Sequence, residues 1–229
     1  RVLTLKSSST LSRYQRQAQV FYRGVNPPSA DIHATAVRNR VLIVSRLTRN
    51  KRVDLAIAAF GQLRQHLPDA QLLIAGDGPQ RRELEQLAAA RLPAGSWRFL
   101  GFLPQAQLNE LYAAALLLLV ASQSPSERLP NVIKEAMALG CIPLSSPTRG
   151  IEELITHDSD GFIVDFAGPS LASELATVCG RLRTEAAALR LNARHKTEHR
   201  FDNRDIAQRK LQLWTQLRTQ AHAAKPFVS

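Results

Sequence analysis

Between Val41 and Val164 the sequence alternates six times between a short apolar run and a helix-forming segment, and nothing else in it restricts the fold as much. The runs are Val41–Ser45, Gln71–Ala75, Trp97–Leu100, Leu116–Val120, Cys141–Leu144 and Phe162–Val164. Several are apolar at nearly every position, the pattern of strands covered on both faces. In the first intervening segment, Val53, Ala56, Ile57, Phe60, Leu63 and Leu67 recur every three or four residues and so line one helix face, until Pro68 stops it. Further helices are expected at 80–91, 104–114, 130–139 and, briefly, 151–155. Strict alternation with short connections predicts an α/β fold, a Rossmann-like doubly wound parallel sheet of about six strands with helices on both faces. Such sheets bind ligands at the carboxyl ends of their strands. That directs attention to loops 46–52, 76–79, 101–104, 121–130 and 145–150.

The flanks are less regular. Residues 1 to about 40 suggest short strands at Val2–Leu5 and Val20–Tyr22, a turn or helix cap at Ser7–Thr10, and a linker near 26–38 around Asn26-Pro27-Pro28. Helices are expected at 169–183, 184–196 and 204–221. The chain starts at Arg1 without an apolar leader, so it reads as processed or cut from something longer. Its longest apolar run, Leu111–Ala121, covers 11 positions, too few to span a bilayer. Two cysteines, Cys141 and Cys179, suit buried free thiols in a reducing cytosol.

The net charge is +11, with 24 arginines and 6 lysines. These residues are scattered apart from clusters such as Arg49-Asn50-Lys51-Arg52, and no aromatic residues interleave to stack bases, so a nucleic-acid partner is not expected. The excess also suits phosphorylated small molecules or peripheral contact with anionic lipid. His195 and His199 lie one helical turn apart but lack a third ligand, so no metal site is expected there.

The most informative stretch runs from Ser126 to Gly140. Pro130 suits the first position of a helix, and the amides of Asn131 to Ile133 then lack intrahelical partners. With the positive end of the helix dipole, they favour a phosphate. Glu127 precedes this helix and Glu135 sits within it. Eight residues of helix span about 12 Å, a separation that suits gripping two ends of one extended ligand better than sharing a proton. A dipole partner at Glu127 and a surface ion pair at Glu135 are the plainer readings.

The Glu127-x7-Glu135 pair followed by Ala136-Met137-Ala138-x-Gly140-x-Ile142-Pro143 resembles the donor motif of retaining family 4 GT-B glycosyltransferases. Other segments fall in that family's order: Val44-Ser45-Arg46-Leu47 with Lys51, Val53 and Asp54; Ile74-Ala75-Gly76-Asp77-Gly78-Pro79; Leu100-Gly101-Phe102-Leu103-Pro104; and Gly150-Ile151-Glu152-Glu153-Leu154 with Asp160-Gly161-Phe162. The resemblance covers roughly residues 20 to 220. It implies that Arg46 and Lys51 neutralise a donor diphosphate, by forked bonds and as a point charge respectively. It further implies that Glu135 accepts bonds from two ribose hydroxyls, and that Glu127 holds the transferred sugar together with backbone amides around Leu129 to Asn131, Pro130 lining the same stretch without an N–H of its own. Phe102 and Leu103 would flank the base, and Gly76 would line the nucleotide loop. Surface solubility for Lys51, core packing for Phe102 and Leu103 and a plain turn for Gly76 and Gly78 remain open at this point.

The same resemblance implies metal-independent glycosyl transfer with retention from a nucleoside diphosphate sugar such as a UDP- or GDP-sugar, without a separate cofactor. Asp158-Ser159-Asp160 precedes the last strand and reads as a solvated turn. Residues 1–38 would be the remnant of an N-terminal acceptor-binding domain and hinge, 39–200 the donor-binding domain, and 201–229 a helix and tail crossing back. The expected partners are the nucleotide-sugar donor and the acceptor domain, in cis or trans. The expected location is cytoplasmic, at the inner face of the membrane if lipid contact is made. A non-catalytic nucleotide-sugar-binding module, or one subunit of a two-chain transferase, is the alternative. Two departures from the family pattern, Arg128 beside the donor sugar and Arg149 before the Glu153 segment, leave the sugar undetermined.

Overall fold

The computed structural model of the protein describes residues 21–26, 39–123 and 129–223. Six strands, β1 (Arg40–Val44), β2 (Gln71–Ala75), β3 (Trp97–Gly101), β4 (Leu117–Val120), β5 (Ile142–Ser145) and β6 (Phe162–Ile163), form one sheet in the order β3-β2-β1-β4-β5-β6. Every neighbouring pair is parallel. Between the strands lie α1 (Val53–His66), α2 (Arg81–Arg91), α3 (Gln105–Ala114) and α4 (Asn131–Ala138), and after them α5 (Leu171–Phe201) and α6 (Asn203–Ala223). This is the doubly wound α/β fold expected from the alternation.

Strand pleating explains why the runs are apolar throughout. In β1, Val41 and Ile43 enter a core with α1 and the first part of α5. Leu42 and Val44 enter a second core with α3 and α4 on the opposite face. Each fully buried aliphatic side chain of this kind contributes about 1.5–3 kcal/mol. Both cysteines are buried with free thiols, and burial pushes Cys141 up to about 12 and Cys179 up to about 11.

Three expectations are corrected. The helices expected at 169–183 and 184–196 are one helix, α5, of 31 residues. Its early apolar side chains, from Leu171 through Leu189, serve the first core, while Ala193 and Phe201 serve the second. The change of partner shifts the apolar stripe and imitates a break. Thr184 does not stop the helix, because its hydroxyl bonds back to the carbonyls of Gly180 and Arg181. Second, Phe21 and Tyr22, the described residues of the expected strand Val20–Tyr22, do not form a strand. Tyr22 stacks edge-on against Phe201 at 5.5 Å, and only Val25 makes a bridge, to Asp202. Third, Asp160 is not solvated but 4% exposed. It accepts the Thr156 amide at 2.7 Å and pairs with Lys196 at 2.9 Å, so Asp158-Ser159-Asp160 is a structural turn. The expected strand Val2–Leu5, the Ser7–Thr10 turn, residues 27–38 of the linker, Glu127 and Arg128 all lie outside the described residues.

Candidate functional site

The strand order reverses between β1 and β4, because the chain builds β2 and β3 on one side of β1 before returning to the other. Loops leaving β1 and β4 diverge at such a point, which opens a crevice at the carboxyl edge of the sheet. Here the crevice holds a cavity of about 430 Å³ between the end of β1, the end of β4 and the start of α4. Arg46, Lys51, Leu129, Pro130 and Asn131 all line it, so the structure brings five of the sequence-derived site residues together.

The Arg46 loop is fixed from behind by the glycine loop after β2. Leu47 donates its amide to the Asp77 carbonyl at 2.9 Å, and Gln80 donates to the Leu47 carbonyl at 3.1 Å. Gly76, with φ of +133°, packs so closely on Ser45 that an added Cβ would collide with the Ser45 carbonyl oxygen. Its amide donates to the Gly101 carbonyl at 2.7 Å. Gly76 thus acts beneath the Arg46 loop and lines neither this crevice nor the adjoining cavity described below. Across the crevice, the Ser122 hydroxyl donates to the Asn50 carbonyl at 3.1 Å and ties the end of β4 to the Lys51 turn. Arg52, in the left-handed region, is held by Asp54 at 3.0 Å.

Pro130 sits at the N-cap of α4, one position earlier than expected. The Ile133 amide donates to the Pro130 carbonyl at 3.2 Å, which leaves Asn131 and Val132 as the amides at the open end of the helix. Behind them lies Lys134, 1% exposed although charged. Its Nζ donates to the Arg23 carbonyl and sits 5.8 Å from the Phe201 ring. Burial, then the charge of Arg23, pull its pKa down to about 8, with Glu135 opposing.

Glu135 does not line the crevice. It lines an adjoining cavity of about 350 Å³ with Gln105, Asn109, Asn131, Asn203 and Arg23. Tyr112 is fully buried near it, and its hydroxyl faces Glu135 without a well-formed hydrogen bond. Burial first, and the Glu135 charge second, drive the Tyr112 pKa upward. Phe102 and Leu103 line neither cavity. Phe102 is 82% exposed in the loop after β3, whereas Leu103 packs on the α3–α4 core. A third cavity, about 710 Å³, lies between α1 and α2, beside Arg52, Arg91, Asp54 and Glu83. It is larger, but it is an outer groove between helices and not a strand-end crevice.

Arg23 and Lys134 were not singled out in the sequence. Lys134 carries a visible signal, a charge on the same short helix as Ile133, Ala136, Met137 and Ala138, all of which are buried. Arg23 carries none, since its role depends on a segment far from α4 in the chain. Among the described residues no group of three or more His, Cys, Asp or Glu is placed to hold a metal ion, and no helix is long and apolar enough to cross a membrane.

Residues 31–196 match the family described as Glycosyl transferases group 1, and the chain belongs to that family of GT-B glycosyltransferases. A putative colanic acid biosynthesis glycosyltransferase of Escherichia coli K12, WcaL, is 30% identical over 185 residues, covering 77% of this chain and 46% of the relative. The amylovoran biosynthesis glycosyltransferase AmsK of Erwinia amylovora is 33% identical over 179 residues, covering 75% and 43%. The chain therefore spans less than half the length of these two relatives. Among solved structures, Anabaena HepE in complex with UDP and glucose has the same fold, with a TM-score of 0.75 at 23% identity over 94% of this chain and 63% of that one. Sucrose-phosphate synthase from Thermosynechococcus elongatus matches with a TM-score of 0.75 at 26% identity, over 96% and 58%.

Proposed function

We propose that this chain is the donor-binding half of a retaining, metal-independent family 4 glycosyltransferase, and that it binds a nucleoside diphosphate sugar in the crevice between β1 and β4. The observation that carries this reading is the set of cations there. Arg23, Arg46, Lys51 and Lys134 line one crevice, and no carboxylate joins them among the described residues. The open end of α4 adds two amides and a positive dipole end. Such a site stabilises a diphosphate, and most strongly one that gains charge as the sugar departs. In this role Arg46 and Lys51 take the place that a divalent ion fills in other sugar transferases.

Glu135, with Asn131 at the junction of the two cavities, is assigned to the ribose. Phe102 and Leu103 are assigned to the base, chiefly through backbone contacts. Glu127, two positions before Leu129 in the sequence, is assigned to the transferred sugar. The acceptor falls to an N-terminal domain, in cis or trans. The solvent-facing Leu211, Trp214 and Leu217 of α6 give that domain a surface to pack on. A cytoplasmic enzyme approaching anionic membranes fits the net charge of +11.

Calorimetric titration of the chain with UDP and GDP, with and without EDTA, tests the proposal, alongside an assay for sugar transfer. Binding of one diphosphate that is indifferent to EDTA, without turnover, is the expected result. Binding of neither nucleotide, or an absolute need for a divalent ion, would reject it.

A further inference from the structure

Resting on the donor-binding reading above, we infer that Arg23 is a specificity-determining residue that grips the phosphate next to the ribose, a task separate from that of Arg46 and Lys51. Its position is the first reason. Arg23 and Asn131 are the two residues that line both the β1–β4 crevice and the Glu135 cavity. A nucleoside diphosphate with its ribose at Glu135 and its outer phosphate at Arg46 and Lys51 must cross that junction. The group that crosses is the phosphate attached to the nucleoside.

The second reason is that the backbone of Arg23 is anchored while its side chain is exposed. Lys134 holds the Arg23 carbonyl from inside α4. Gly24 has no room for a Cβ, which would lie 2.5 Å from the Phe201 carbonyl and 2.6 Å from Asn203. Val25 donates to the Phe201 carbonyl at 2.8 Å and accepts from the Asn203 amide at 3.1 Å. Nearby, Tyr22 donates to Glu153 at 2.7 Å and accepts from Arg200 at 3.1 Å. The guanidinium itself is exposed and pairs with no carboxylate among the described residues. A cation with a fixed base and an uncommitted head, facing two cavities, is organised for an anionic ligand before that ligand arrives. An arginine suits the task because its fork can take two oxygens of one phosphate.

The test compares Arg23→Ala, Arg46→Ala and the exposed control Arg98→Ala against the wild type, titrated with the nucleoside, the monophosphate and the diphosphate of uridine and of guanosine. Arg23→Ala is expected to weaken the monophosphate and the diphosphate by a similar factor, about tenfold or more for loss of a charge-assisted contact, and to leave the nucleoside unchanged. Arg46→Ala is expected to weaken the diphosphate far more than the monophosphate, and Arg98→Ala to change neither. Thermal melting of Arg23→Ala should be no lower than that of the wild type, because the lost side chain is exposed and its charge repels the buried Lys134. If Arg46→Ala weakens the diphosphate while Arg23→Ala binds both nucleotides as the wild type does, the inference is overturned and the donor-binding reading stands. If the wild type binds neither nucleotide, both are overturned.

Discussion

Replacing Lys134 with methionine should change how stability depends on pH, and the structure gives the size of the effect. Lys134 is 1% exposed, and burial and the charge of Arg23 hold its pKa at about 8 against an ordinary 10.5. For a base, a lowered folded pKa means that the protonated side chain is strained in the native state. The penalty is complete below pH 8 and disappears as pH rises toward 10.5, where the unfolded chain also gives up its proton. A shift of this size corresponds to about 3 kcal/mol, with a limiting slope of about 1.4 kcal/mol per pH unit. Methionine keeps the apolar stem and removes the charge, but it leaves the Arg23 carbonyl without its donor, which costs about 1–3 kcal/mol. At pH 7 the two changes therefore largely offset each other, and the pH profile is the informative quantity. Urea denaturation of both proteins from pH 7 to 11, followed by tryptophan fluorescence, measures it. Cys141, Cys179 and Tyr112 act in the opposite sense, because their raised pKa values make stability fall as the unfolded thiols and phenol ionise. They are common to both proteins and cancel in the difference. The wild type should gain stability relative to K134M by about 3 kcal/mol between pH 8 and 10.5. A difference that stays constant across this range would refute the reasoning.

Gly76→Ala should cost about 2 kcal/mol or more and weaken nucleotide binding as well, because an added Cβ displaces the Ser45 carbonyl beneath the Arg46 loop; denaturation and titration of one sample check both. Asp160→Asn breaks the buried pair with Lys196 and should cost on the order of 3 kcal/mol. It should leave nucleotide affinity unchanged with or without added Mn2+, whereas a metal-binding Asp-x-Asp would lose metal-dependent affinity. Tyr112→Phe removes a buried hydroxyl that faces Glu135 without a well-formed hydrogen bond, so thermal melting should find stability changed by no more than about 1 kcal/mol.

The sheet was legible in the sequence because burial on two faces leaves a direct mark. Runs such as Val41 to Val44 are apolar at every position, and their length and spacing admit few other architectures. The crevice was partly legible. Arg46, Lys51 and the Pro130 helix start stand beside strand ends, and strand ends are where such folds bind ligands. Other features depend on contacts between distant segments and left no local sign. Arg23 reaches the site because Phe201 and Asn203, almost 180 residues later, clamp Val25 beside α4. The unbroken α5 was concealed by its own geometry, since its apolar stripe changes partner from α1 to α4 along its length. Gly76 was visible as a turn glycine, but its support of the Ser45–Leu47 backbone required the packed loops.

A crystal structure of the chain soaked with UDP or GDP tests the central claim most directly. Density for both phosphates between Arg46, Lys51 and the first amides of α4, with the ribose toward Glu135, is the expected result. Nucleotide seated in the α1–α2 groove beside Arg52 and Arg91, with the β1–β4 crevice holding none, would contradict it.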